Sequence, residues 1–396
     1  MASQAVWRGQ EVIWVGADGT VRYRDRVHAL APQSSHPALS ATTLFTHRGH
    51  DYLAVLLRER LTPDSPDAHA THHLILHPLR YPLLRRRQWR VVFPTTATPV
   101  RVTCAAALLI PLPSRCADSR FSSPPTDLLT GTADGSVYLL RLPSRSPALA
   151  AARIAAYDMS TTWAVRQLQV NAFTVAAALQ HGALMVCSRP APLAASISDA
   201  SADASWPVAF CVRADHATIT AMQWAQCHDA GSSAAEWLLS AKYRQRDGHA
   251  RAWLECYAVP RDAPTRPIHR RIAWAASAPA PVASLAAVTR RNVDDATAVE
   301  LCMFLFCTDG TVHWLSVVLE GDIPHPTPSR ALAVSIPRPP PVCHPSAHPV
   351  AYRMHALDAR HAYLGVSICG DSLHTRYWWL HVDADALHLS DAAPVK

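Results

Sequence analysis

The densest concentration of functional side chains in the sequence is RYPLLRRRQWR at 80–90. There Arg80, Arg85, Arg86, Arg87 and Arg90 surround Tyr81 and Trp89. Guanidinium groups beside aromatic rings bind phosphates and stack on bases, and they also pair with acidic protein surfaces. Shorter basic runs are His269-Arg270-Arg271 and Arg290-Arg291. HATHHLILH (69–77) offers His69, His72, His73 and His77. On a strand His73 and His77 share one face and His72 takes the other, so a metal would need a further ligand from elsewhere. Cys343, His344 and His348 lie in a proline-rich stretch, and both groups read as loop histidines. In GVSICG (365–370) the second glycine falls one place too far for a nucleophile elbow, which leaves Ser367 as a strand residue. IPRPPPV (336–342) has Pro337 and Pro340 in PxxP spacing and reads as a rigid loop, with an SH3 or WW ligand as the alternative. Phosphate-loop, dinucleotide-loop, HExxH and CxxC patterns do not occur, so no catalytic, cofactor-binding or metal residue is assigned.

Short strands joined by tight turns must position these groups. WVGADGTVRYR (14–24), TDLLTGTADGSVYLLRL (126–142) and LFCTDGTVHWL (305–315) each set an Asp-Gly pair between two β-patterned runs. Asp18-Gly19, Asp134-Gly135 and Asp309-Gly310 are therefore expected to be hairpin turns of type I′, with positive φ at both central residues. Asp18 and Asp134 are 116 residues apart, and Asp134 and Asp309 are 175 apart, which suits two and three units of about 58. Weaker turns fall near the expected places at His181-Gly182, Asp247-Gly248 and Gly370-Asp371. In 52–79 a longer polar connection, 62–71, separates the runs. Ahead of the hairpins lie further strands at 99–109, 162–170, 218–225, 282–289 and 350–357. Their apolar character with weak alternation predicts inner strands, buried on both sides.

Repeated hairpins of this kind, ending in a phrase such as DGTVxxW, make the chain resemble the WD40-repeat β-propeller family over nearly its whole length. The resemblance implies an all-β fold, a single seven-bladed propeller with long proline-rich inter-blade loops. Blades are expected at about 1–31, 41–80, 98–145, 160–190, 216–260, 281–321 and 349–391, and loops or insertions at 110–127, 190–207 and 323–349. The family's Trp-Asp dipeptide is missing from its usual place, and Gly49-His50 directly precedes a hairpin strand, so its Asp-His-Ser/Thr-Trp network is not carried over. The N-terminus has room for two strands before Asp18, so DALHLSD (385–391) is expected to complete the first blade and close the ring. The alternative is two smaller β domains split near 190–207.

With 49% hydrophobic and 17% charged residues the chain can bury a core, and its net charge of +7 favours acidic partners. Ten scattered cysteines suggest free thiols in a reducing compartment. No signal-like N-terminus and no apolar run of membrane-spanning length occurs, so the expectation is an intracellular protein, nuclear rather than cytoplasmic. The expected role is a non-enzymatic scaffold in a multiprotein complex of transcription-factor, nuclear-pore or RNA-processing type. It has protein partners, no membrane contact, no cofactor and no small-molecule substrate. The alternatives are nucleic-acid binding through the Arg80–Arg90 face and a propeller hydrolase.

Overall fold

The computed structural model describes residues 4–8, 11–23, 26–30, 37–47, 50–59, 71–79, 87–94, 100–108, 126–142, 148–157, 163–171, 173–188, 205–227, 235–260, 268–272, 280–291, 298–319, 326–336, 350–369 and 373–392. The first sheet is a meander of β1 (Gln4–Arg8), β2 (Glu11–Val15), β3 (Thr20–Tyr23) and β4 (Arg26–Ala29). The second contains β5 (Pro37–His47), β6 (His50–Glu59), β7 (Thr71–Pro78), β8 (Arg87–Val92), β9 (Val102–Leu108), β10 (Thr126–Thr132), β11 (Ser136–Leu142) and β12 (Ala148–Ala156). The third holds β13 (Val165–Val170), β14 (Thr174–Leu179), β15 (Leu184–Ser188) and β16 (Val208–Val212). In the fourth, β17 (Thr218–Trp224) is followed by β19 (Ala235–Arg246), β20 (His249–Pro260) and β21 (Ile268–Ile272). The short β18 (Gln226–Cys227) joins the fifth, with β22 (Val282–Arg291), β23 (Val299–Cys307), β24 (Thr311–Leu319) and β25 (Arg330–Ser335). The last is β26 (Val350–Ala356), β27 (His361–Cys369), β28 (Leu373–Val382) and β29 (Leu387–Ala392).

The strands form two compact units, Met1–Gln180 with Leu184–Val212, and His181–Ala183 with Arg213–Lys396. In the first unit the leading strands pack in succession, β1 on β5, β5 on β9 and β9 on β13. In the second, β17 packs on β22 and β22 on β26. Leading strands side by side, with each meander running outward, is the packing of propeller blades.

Burial on both faces explains the apolar strands. Leu53, Val55 and Leu57 of β6 pack with Ile13, Val15 and Val21 of the first sheet, whereas Ala54 and Leu56 face Leu128, Tyr138 and Leu140. Alternate residues of β23 divide in the same way. Leu301, Met303 and Leu305 join the core shared with β19 and β20, and Cys302, Phe304 and Phe306 join the one shared with β26–β28.

Two sequence expectations need correction. Seven separate blades do not form. Among the described residues five sheets have blade size, four of four strands and one of five, and the remaining sheet has eight. It is continuous because β8 and β12 pair in parallel, Arg90–Val92 alongside Ala148–Ala150, so the free edge of one meander satisfies the other. Ring closure by pairing of the terminal strands is also not what forms. β1 to β4 already complete the first sheet, because the short polar segment at β4 supplies its fourth strand. β29 pairs with β28 instead.

Three of the Asp-Gly turns have a geometry other than type I′. Gly19, Gly135 and Gly310 have φ of 79°, 83° and 88°, while the aspartate before each stays at ordinary negative φ. The Gly19 amide bonds Gly16 O at 2.9 Å and the Gly310 amide bonds Cys307 O at 3.0 Å, giving a tight turn followed by a left-handed glycine bulge. The aspartate favours this form because its carboxylate accepts the amide two residues on, Thr20 N to Asp18 at 2.9 Å and Thr311 N to Asp309 at 2.9 Å. Asp247-Gly248 does follow the I′ pattern, with φ of 51° and 79°. Gly370 and Asp371 lie outside the described residues. The Thr20 backbone and side-chain bonds lower the Asp18 carboxyl pKa. Asp18→Ala is expected to lower the unfolding free energy by about 1 kcal/mol in urea titration, and Asp18→Asn by less.

Candidate interaction surface

The longest hairpin, β19–β20, projects beyond its own sheet. β17 accompanies β19 only as far as Tyr243, opposite Thr218, and β21 accompanies β20 only from Leu254, opposite Ile272. Past those points β19 and β20 pair with each other alone, through Arg244↔Arg251 and Arg246↔His249. Strand alternation then segregates the side chains. One face carries Leu239, Ala241, Leu254, Cys256 and Ala258 into the core shared with β22–β24. The opposite face carries Lys242, Arg244 and Arg246 on β19, with Trp253, Arg251 and His249 opposite them.

At the root of that face lies a buried ionic network. Lys242 Nζ is 3.0 Å from Glu255 Oε2 and 2.9 Å from Asp215 Oδ2. Glu255 further accepts bonds from Trp253 Nε1 at 2.9 Å, Tyr257 OH at 2.6 Å and Arg271 Nη2 at 3.3 Å. Lys242 and Glu255 are each 2% exposed, so the charges of these two must find their partners inside the protein. Burial alone would raise the Glu255 carboxyl pKa, but His269, the Lys242 charge and the Tyr257 and Trp253 bonds overrule it and hold it well below the usual carboxylate range. Burial beside this carboxylate pushes the Tyr257 hydroxyl well above its ordinary value.

Outward from the network the positive charge is no longer balanced. The guanidinium carbons of Arg271, Arg244 and Arg251 lie 4.9, 5.9 and 6.0 Å from the Trp253 ring centroid. Arg271 answers Glu255, and Arg246 pairs with Asp247 at the exposed tip. Arg244 and Arg251 have no hydrogen-bond acceptor or carboxylate partner among the described residues, although they face each other in register.

The groups singled out in the sequence fall as follows. Arg80, Tyr81, Arg85 and Arg86 lie outside the described residues. Arg87 and Arg90 are exposed on β8, while Trp89 between them is built into the core with Leu74 and Leu128. His69 is outside the described residues. His72 is buried against Phe93, His73 bonds Glu59 at 3.0 Å, and His77 packs on His28. Ser367 is fully buried in the middle of β27 and accepts a bond from Thr375 at 3.1 Å. Of the second basic run, Arg270 is buried on Trp237 and Arg271 joins the Trp253 face, a division that strand parity imposes. All eight described cysteines are free, and burial pushes the thiols of Cys104, Cys187, Cys256, Cys302 and Cys307 up to about 12. No group of three or more His, Cys, Asp or Glu among the described residues is arranged to hold a metal. The exposed chain Asp358–His361–His381 on the last sheet is joined by hydrogen bonds of 2.9 and 2.8 Å. Among the described residues no helix is long and apolar enough to cross a membrane.

The Trp253 face does not show in the sequence while Asp247-Gly248 is taken as a turn alone. Once the turn is placed at Asp247-Gly248, counting outward already sets Arg244 opposite Arg251. No family model and no curated protein matches the chain. Among solved structures it is similar to a chain of "Crystal Structure of Mitotic Checkpoint Complex", at 11% identity and a TM-score of 0.44, covering 94% of this chain and 88% of that one.

Proposed function

We propose that this chain is a non-enzymatic scaffold that binds other protein subunits through acidic surfaces on those partners. One observation carries the reading. Sheets buried on both faces hold out a hairpin whose tip presents Arg244 and Arg251 with no anionic counterpart among the described residues. A surface of that kind is suited to recognition by charge, since opposed potentials steer partners together and set their register. The net charge of +7 agrees in sign, and the free thiols suit an intracellular and, in this reading, nuclear complex of transcription-factor, nuclear-pore or RNA-processing type.

Purification of the tagged chain from its own cells, followed by identification of co-purifying chains, is expected to recover defined subunits. Their retention should fall as salt rises from 50 to 500 mM, since contacts between exposed charges are screened over a shrinking distance. Recovery of the chain alone under gentle, low-salt conditions would overturn the proposal. The nucleic-acid alternative is tested in parallel by nuclease treatment, which is expected to leave the recovered subunits in place.

A further inference from the structure

We infer that the Trp253 face of the β19–β20 hairpin is a binding site for a phosphorylated peptide segment of a partner, an inference that rests on the scaffold reading. Arg244 and Arg251 stand directly opposite each other across an antiparallel pair, an arrangement in which like charges repel. Arg271 from β21 brings a third guanidinium to the same indole. Two of the hairpin's own carboxylates are engaged elsewhere, Glu255 with Lys242, Trp253, Tyr257 and Arg271, and Asp247 with Arg246. An anion from outside would therefore meet, in Arg244 and Arg251, donors that no described internal group takes up.

The form of the site selects the anion. Arg244 and Arg251, in register across the hairpin, and Arg271 beside the same ring put three guanidiniums within 6.0 Å of one centroid, two of them without a carboxylate of their own among the described residues. A phosphate monoester, with nearly two charges and three acceptor oxygens on one atom, matches that concentration better than carboxylates spaced along a chain. Single-stranded nucleic acid needs an open aromatic face for its bases. Trp253 offers none, being 5% exposed and donating its Nε1 hydrogen to Glu255 at 2.9 Å. The tip is also reachable, since Arg246, His249 and Arg251 are exposed and nothing lies within 4 Å of a side chain built at Gly248.

The test passes degenerate peptide libraries with a central phosphoserine, serine or glutamate over the immobilised full chain. The phosphoserine library is expected to be retained about tenfold more than the serine library, and this preference should vanish in Arg244→Gln/Arg251→Gln. Arg87→Gln/Arg90→Gln, on the other basic run, should keep it. Arg244→Lys/Arg251→Lys preserves charge while removing the forked donors, and is expected to lose most of the preference. The Gln pair relieves a repulsion and gives up two cation–ring contacts, so its urea midpoint should stay close to that of the unmodified chain. Equal retention of the glutamate library would overturn the phosphate assignment. Undiminished retention by the Gln and Lys pairs would overturn the site, and displacement of the phosphopeptides by equimolar oligouridylate would overturn it in favour of RNA. If subunits still co-purify in any of those cases, the scaffold reading survives while this one does not.

Discussion

Glu255→Ala is expected to lower the unfolding free energy by about 3–5 kcal/mol, because it strands a charge in the interior. The substitution leaves the buried Lys242 with only Asp215, a partly exposed carboxylate, and removes the acceptor for Trp253 Nε1 and Tyr257 OH. A half-dismantled network costs more than an absent one, since each orphaned donor bears its full desolvation penalty. Lys242→Met with Glu255→Leu is therefore expected to be more stable than Glu255→Ala alone, although it changes two residues. Chemical denaturation of the three chains, followed by tryptophan fluorescence, makes the comparison.

The same carboxylate governs acid stability. Because the folded state holds Glu255 below its ordinary value, the unfolded chain takes up a proton below about pH 4.3 that the folded chain refuses, and stability falls as pH drops there. His72 acts in a higher window. Burial, with the charges of Arg58 and His73, lowers its pKa from 6.5 to about 4, so between those values the unfolded chain binds the extra proton and stability again falls with pH. His72→Phe is expected to flatten the upper part of the acid-unfolding profile and leave the lower part unchanged.

Gly131→Ala should lower stability by about 2–3 kcal/mol through a single added methyl group. A Cβ at this position of β10 would lie 2.5 Å from Val165 Cγ1, 2.7 Å from Val165 Cβ and 2.7 Å from Cys104 Sγ. Val165 cannot turn aside easily. It is β-branched and fully buried, and its carbonyl accepts the Thr103 hydroxyl. Val165→Ala opens a cavity and is destabilising by itself, yet Gly131→Ala/Val165→Ala is expected to lose at least 1 kcal/mol less than the sum of the two single changes. Gly248→Ala is the control. Its φ is 79° but no atom lies within 4 Å, so only the backbone cost of about 1 kcal/mol is expected.

These residues also show how far the fold was legible. Asp-Gly pairs announce themselves because few residues tolerate left-handed backbone, and every described turn found this way joins the second strand of a meander to its third. Outer strands gave weak signals because they are short and lie in water. β4 and β25 are largely exposed, so neither alternation nor hydrophobicity marks them. The weak alternation of the leading strands has its own cause. Register shifts at Leu39/Ala41, Val165/Gln167, Ile219/Ala221 and Val282/Ser284 each insert one residue, and the side-chain pattern changes face in mid-strand. The β8–β12 pairing could not be read at all, because it is made by main-chain groups common to all residues. The charged face was legible in principle from the hairpin register, but the ring it surrounds was not. Trp253 needs β21 beside it before Arg271 can reach it.

That main-chain pairing has a consequence for motion. Where neighbouring sheets meet only through side chains, each can open while the next stays closed. At Arg90–Val92 and Ala148–Ala150 the two meanders share backbone hydrogen bonds, so fraying of one exposes amides of the other. In native-state hydrogen exchange β8 and β12 should lose protection together, at one free energy and with one denaturant dependence. The eight strands would then behave as a single unit of cooperativity, twice the size of the unit formed by any four-stranded sheet in the chain.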